Sequence, residues 1–240
     1  MRQPVATRGF SLPPPRAVPV TTWLCGIILA VSLLAKIFES KTGVGADLLR
    51  FDVAAVLSLE LWRLVTYPLV ECTAFGLLFG LFFFYLIASW FETSFGSRDL
   101  LRFFVISSLG AAGLAIPLSF LVNLIMPFYD PGVSEGPDAA FDAMLVAFAV
   151  SMPNATIMFG FVLPMRARSV VYALLGLALI FGIMNGAAAF SITLGGMIMG
   201  YLLASGNWRP QRLLNKLKLR RARRRGHGFY VVPPKHETYH

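Results

Sequence analysis

Histidine is missing ahead of position 227: the three copies in this chain of 240 residues are His227, His236 and His240. A serine nucleophile is weak at its own pKa and needs an adjacent base. Ser-His chemistry is therefore excluded from everything upstream of that end. Cysteine is nearly absent too. Cys25 and Cys72 lie in or at the edge of apolar segments and are spaced for neither a disulfide framework nor a zinc site. No metal and no cofactor are expected. Charge is scarce at 14%, against 57% hydrophobic residues and a mean hydropathy of +0.69. That balance excludes a soluble globular domain and reads as an all-α polytopic membrane protein. Acidic residues are absent from Arg209 to Lys235, where ten of the 21 Lys and Arg fall.

Residues 1–19, with Pro13, Pro14, Pro15 and Arg2, Arg8, Arg16, are expected to be a disordered cytoplasmic N-terminus. Apolar periodicity and length divide residues 20–205 into six spans. They run over about 20–38, 73–92, 101–127, 138–152, 169–185 and 188–205. A mixed loop covers 39–72, a Gly/Pro-containing loop covers 128–137, and Asn185 with Gly186 marks the turn into the last span. Residues 206–240 form a basic tail, expected in the cytoplasm. Six spans put both termini on one side. Arg98, Arg102, Arg166, Arg168 and the tail share that side, and the acidic loop with Asp130 and Glu135 lies opposite. Positive charge then makes that side cytoplasmic. The tail is also a candidate contact for anionic lipid headgroups. With aromatic interleaving limited to Phe229 and Tyr230, nucleic acid is not expected as a partner.

Gly196 and Gly200 in the last span form a small-xxx-small pair, and Thr193 shares their helix face. Ala139, Ala143 and Ala147 form a stripe at four-residue spacing on the fourth span. Close packing of the stripe on Gly196 and Gly200 is expected, with Gly76 and Gly80 extending the same logic to span two. Asp138 and Asp142 stand at i and i+4 on the fourth span. Asp138 reads as a helix N-cap or a polar cavity residue. Asp142, within the bilayer, reads as a buried donor to a neighbouring helix or as part of a client-binding site. Two carboxylates on one face suit a shared proton, but no second helix supplies one. Glu71 reads as an interfacial carboxylate. Gly132-Val133-Ser134-Glu135-Gly136 matches the Gly-x-Ser-x-Gly elbow, which requires a strand-to-helix turn in an α/β sheet, and is read as coincidence.

The segment Thr193-Leu194-Gly195-Gly196 resembles the His-Leu-Gly-Gly of the last helix of rhomboid intramembrane serine proteases, with Thr193 in the histidine's place. Trp62-Arg63 resembles the Trp-Arg motif of that family's long first loop. Glu92 with Gly96 and Arg98 resembles the close of its second helix, and Pro153 with residues 161–166 the approach to its fifth. The resemblance covers roughly residues 50–205. Aligned this way, Gly136-Pro137-Asp138-Ala139 stands on the nucleophile motif Gly-x-Ser-Gly, so Asp138 holds the serine's position. Gly76 and Gly80 stand where the family has a His and an Asn that bind the oxyanion.

The resemblance implies a six-transmembrane-helix, rhomboid-like bundle that has lost its dyad. The expected function is that of a pseudoprotease, binding transmembrane segments of membrane-protein clients through Asp138, Asp142 and Thr193. The expected structural residues are Trp62, Arg63, Glu92, Ala139, Ala143, Ala147, Gly196 and Gly200. An intramembrane peptidase using Asp138 or Asp142 is the alternative, and a proton-coupled transporter or channel the second. The compact form without extra domains makes a bacterial inner membrane the expected home. A reporter fused after His240 is expected to face the cytosol and a tag inserted near Asp130 the opposite side, as read by protease protection of sealed vesicles; the reverse pattern would refute the orientation.

Overall fold

The structure, a computed structural model, describes residues 13–43, 45–125, 132–159 and 163–205. The first twelve residues, part of the 128–137 loop and the whole of the basic tail with its three histidines lie outside them. Helix α1 (Pro19–Thr42) is followed by a loop carrying two short helices, α2 (Val53–Leu57) and α3 (Arg63–Thr66). A π turn at Gly76–Gly80 runs into α4 (Leu81–Phe95), and α5 (Ser97–Ile125) follows after Gly96. Then come α6 (Asp138–Ser151), α7 (Ala167–Asn185) and α8 (Ala187–Ala204).

Among the described residues, four helical stretches are long and apolar enough to cross a membrane: Pro19–Thr42, Gly76–Phe95, Ser97–Val122 and Ala187–Ala204. The expectation of six spans is therefore met by length and composition at four segments. Helix α6 has 14 residues, about 21 Å at 1.5 Å per residue, against a hydrocarbon core of about 30 Å. Helix α7 offers a shorter apolar stretch, Ala167–Ile180. The connection between α6 and α7 holds an antiparallel hairpin of β1 (Thr156–Phe159) and β2 (Leu163–Arg166), with Thr156 opposite Arg166. Among the described residues the fold is thus helical apart from this hairpin and one bridge between Phe51 and Ser134.

Helix α6 is the buried centre. Nine of its residues are buried, from Ala139 to Ala149, and it packs most extensively on α8, which in turn covers α5. The small residues explain how. A side chain at Gly196 would strike the backbone of Ala139, and one at Gly200 the backbone of Ala143. The helix therefore lies backbone to backbone against α6, in the same direction. On its other side a Cβ at Gly195 would stand 2.7 Å from the Ala111 carbonyl oxygen of α5. Farther along, the Ser191 and Ser119 hydroxyls meet at 3.2 Å, so α5 runs antiparallel to α8. Between apolar helices in lipid, contact this close supplies the van der Waals attraction that solvent exclusion cannot. Ala147 is buried one turn beyond Ala143.

A second cluster of large residues sits between α1, α4, α5 and α6, around Ile28, Phe84, Leu100 and Met144. Its polar anchor is Glu92, which is 4% exposed. The carboxylate accepts the amide N–H of Val20 (3.1 Å) and Thr21 (2.8 Å), the Thr21 hydroxyl (2.7 Å) and the Ser97 hydroxyl (2.6 Å). It thus closes the open N-terminus of α1, where an anion is favoured, and ties it to the end of α4 and the start of α5.

The substitution Gly200→Val is expected to destabilise the bundle by about 1–3 kcal/mol, because the added atoms have no place to go against Ala143. Gly113→Ala, where nothing lies within 4 Å of the added carbon, is expected to be neutral or to stabilise by up to about 1 kcal/mol. Thermal unfolding of the two variants in detergent checks the contrast; equal effects would remove the special role of the contact.

Candidate functional site

The seam of α6 and α8 sets the site. Because Ala139 meets Gly196 and the helices run parallel, their N-terminal ends lie side by side. One end carries Asp138, immediately before Ala139; the other carries Thr193, one turn before Gly196. The structure thus brings the two positions that the resemblance assigns to a dyad to the same end of the bundle. Neither is a nucleophile–base pair. Asp138 is exposed, Thr193 is half-buried, and neither side chain makes a hydrogen bond among the described residues. The cap position of α6 is held by Pro137, with no side-chain cap bond. Asp138 is therefore a first-turn residue and its reading as the N-cap is corrected. Its charge still stands at the positive end of the helix.

One turn further in, Asp142 is 6% exposed. It has no hydrogen bond or ion pair among the described residues. The reading of Asp142 as a donor to a neighbouring helix therefore finds no acceptor among them. In a helix each Cα–Cβ bond tilts toward the N-terminus, so the carboxylate of Asp142 leans toward Asp138, on the same face. Phe141 and Leu145 flank it and pack toward α4 and α7. These two helices each contact α6 and make few backbone approaches to one another, and Ile87 and Phe141 pack against the side-chain clusters on both sides.

The loop before α4 contributes a third carboxylate. Glu71, expected at an interface, is buried. Its Oε1 accepts the Thr73 amide N–H (3.1 Å) and the Thr73 hydroxyl (2.7 Å), and Thr73 Oγ1 accepts the amide of Gly76 at 3.0 Å. The carboxylate is wedged between two glycines. A Cβ at Gly76 would run into it, and a Cβ at Gly136 would lie 2.7 Å from Oε2 and 3.9 Å from the Asp138 carboxyl carbon. Gly136 has φ +89° and donates its N–H to the carbonyls of Tyr67 (3.0 Å) and Val70 (2.8 Å), which pins this approach. Sequence reasoning missed the wedge, since the glycines that make it are far apart in the chain. Gly76 and Gly80 bound the π turn, a widened turn frequent at functional sites. They supply no side-chain donor where the resemblance puts two.

The nearest cation in this region is already used. Arg50 bonds Glu135 through Nε and Asp47 through Nη1 at 2.9 Å. Glu135 also accepts the Cys72 amide at 3.2 Å. Below them, Arg63 is buried. It donates from Nε to Glu60 at 2.6 Å and from Nη1 to the carbonyls of Asp47 and Arg50, the latter at 3.0 Å. Trp62, about half exposed, donates from Nε1 to the Leu48 carbonyl at 3.1 Å. This pair therefore organises the loop and lies away from the carboxylates of α6. Among the described residues, no group of three His, Cys, Asp or Glu side chains is placed to hold a metal ion. The arrangement gathers carboxyl groups at the N-terminal end of α6, with no histidine in the chain ahead of His227.

Burial pushes the Cys72 thiol from 9.0 up to about 11, with Glu135 adding to the shift and Arg50 opposing it. In a Cys25→Ser background, alkylation of Cys72 at pH 8 is expected about a hundredfold slower than that of an ordinary protein thiol, in proportion to its thiolate. Glu135→Gln removes a repelling charge and frees Arg50, so it should lower the thiol pKa and speed the reaction. Ordinary reactivity in the parent, followed by mass spectrometry, would contradict this placement.

Residues 22–204 match the model of a family described as eukaryotic integral membrane protein (DUF1751). No curated protein matches the chain in sequence. The eukaryotic description weighs against the bacterial inner membrane expected from the compact form.

Proposed function

The chain belongs to this family of eukaryotic integral membrane proteins, and on that premise we propose that it is a rhomboid-like pseudoprotease that binds transmembrane segments of client membrane proteins without cleaving them. The observation that carries the reading is the parallel seam of α6 and α8. Its Gly-on-Ala contacts hold two helix ends together, and those ends present Asp138 and Thr193 in place of a nucleophile and its base. A scaffold with this geometry and no histidine ahead of His227 keeps a shaped, polar end without a catalytic engine.

Lateral entry of a client helix is proposed between α4 and α7, which make few backbone approaches to one another. Six spans, a membrane domain over 20–205, cytoplasmic termini and a lipid-binding basic tail at 206–240 complete the proposal. The tail supplies ten of the chain's 21 basic side chains, enough to hold it at an anionic leaflet at about 1 kcal/mol for each residue near the surface.

The purified protein, assayed in detergent against a generic rhomboid transmembrane substrate, is expected to give no cleavage products. Cleavage by the wild type that disappears in Asp138→Ala or Asp142→Asn would overturn the reading in favour of carboxylate catalysis on the same scaffold. Ion flux in liposomes that is lost in Asp142→Asn would overturn it in favour of transport.

A further inference from the structure

Asp142 is the residue that the bundle leaves unexplained. Every other buried carboxylate among the described residues has partners: Glu71 has Thr73, and Glu92 has Val20, Thr21 and Ser97. Asp142 is as deeply buried as they are, yet has none among the described residues. An unpaired carboxylate in an apolar medium is costly, and in membranes such groups face a cavity or a partner charge. Its lean along the helix toward exposed Asp138 defines a two-step file of carboxyl groups. The file runs from the open end of α6 to about 6 Å inside, the rise of four helical residues.

Resting on the client-binding reading above, we infer that this file selects its client: it takes a transmembrane helix that carries a Lys or Arg within its first two turns from the membrane boundary. Three observations choose that occupant. The cations near the file are engaged elsewhere, Arg50 with Glu135 and Asp47, and Arg63 with Glu60. A metal ion lacks its ligand set among the described residues, since no three acidic, histidine or cysteine side chains gather there. And the depth fits. A Lys or Arg side chain on an entering helix extends from apolar surroundings toward the polar boundary, so its head is carried toward Asp138 at the open end of α6 and Asp142 one turn inside. A cationic helix in lipid has the same need as Asp142, an opposite charge at the same depth, and pairing relieves both. Exposed Asp138 meets the charge first. Buried Asp142 then holds it where water is excluded.

The test uses the full-length protein in nanodiscs and two photo-crosslinking peptides of one length. One is a Leu/Ala transmembrane helix; the other has a single Lys in its second turn. Crosslinking to the Lys peptide is expected to exceed that to the Leu/Ala peptide by about tenfold. The preference should vanish in Asp142→Asn, weaken in Asp138→Asn, and survive in Asp142→Glu, which keeps the charge and also checks that the site still folds. It should be unchanged in Glu60→Gln, a carboxylate on the loop away from the file. Equal crosslinking of both peptides would overturn the charge selection while leaving client binding in place. Absence of crosslinking by either would overturn client binding itself. A Lys preference untouched by Asp142→Asn would place the selecting charge elsewhere and refute the inference.

Discussion

Everything in this bundle depends on how closely α8 approaches α6 and α5. Lipid tails are as apolar as leucine, so burying apolar side chains gives membrane helices little reason to associate. What remains is close contact, and glycine permits it by having no Cβ. Gly195 faces Ala111, while Gly196 and Gly200 face Ala139 and Ala143 on the opposite side. The helix is thus locked between two neighbours by three residues in six positions. The lock fixes relative height as well as distance. Sliding α8 by one residue along α6 would set Met197 or Met199 against an alanine backbone. The register that brings Thr193 to the same end of the seam as Asp138 is therefore a consequence of sterics and asks nothing of the polar groups themselves.

A second constraint comes from the polar groups that an apolar frame must carry. Glu92 and Arg63 show the stable solution, in which a buried charge is surrounded by donors or acceptors drawn from several segments. Glu92 collects two backbone amides and two hydroxyls from α1 and α5. Arg63 collects two loop carbonyls and a carboxylate. Such groups bind pieces of the chain together, since removal of either partner strands the other in a medium without water. Asp138 and Asp142 depart from this rule on the same helix face. A frame that satisfies its structural charges so fully, yet leaves two acids open at its polar end, has its unfilled valence in one place.

Much of this was legible in the residues, and the reasons are physical. Helical segments announce themselves by long apolar runs, so α1, α4, α5 and α8 can be read from composition, and Gly186 from the turn it must make. The four-residue spacing of Ala139, Ala143 and Ala147 with Gly196 and Gly200 exposes a face because 3.6 residues per turn returns them to one side. Helix α6, at 14 residues, is short for a span. An apolar segment signals burial whether its surroundings are lipid or protein, and hydropathy does not separate a short central helix from a span. The Glu71 wedge was hidden because it joins Gly76 and Gly136, sixty residues apart, through a loop whose path no periodicity reports. The hairpin between α6 and α7 was hidden for the same reason, its strands being four residues each.

The π turn at Gly76–Gly80 carries the argument one step further. A π turn adds a residue to a helical turn and weakens its hydrogen bonding, which a helix tolerates where it gains access or shape. Here it opens α4 beside the Glu71 wedge and near the N-terminal end of α6. Gly80 has no heavy atom within 4 Å of where a side chain would begin, while Gly76 has Glu71 and Thr73 immediately against it. One end of the widened turn is thus packed and the other is empty. Side chains at these two positions that donate hydrogen bonds would convert the space into a pocket for a developing negative charge, the requirement of acyl transfer. Glycines add no donor there: the space beside Gly80 is open, and Glu71 Oε1 is held by Thr73 alone among the described residues. Glu71, Asp138 and Asp142 follow one another at this end of the bundle, and carboxyl groups offer a developing oxyanion no cationic partner. Glycines where donors would be needed, and acids where a nucleophile would stand, suit the proposed retention of a positively charged or hydrogen-bond-donating helix better than catalysis on a carbonyl.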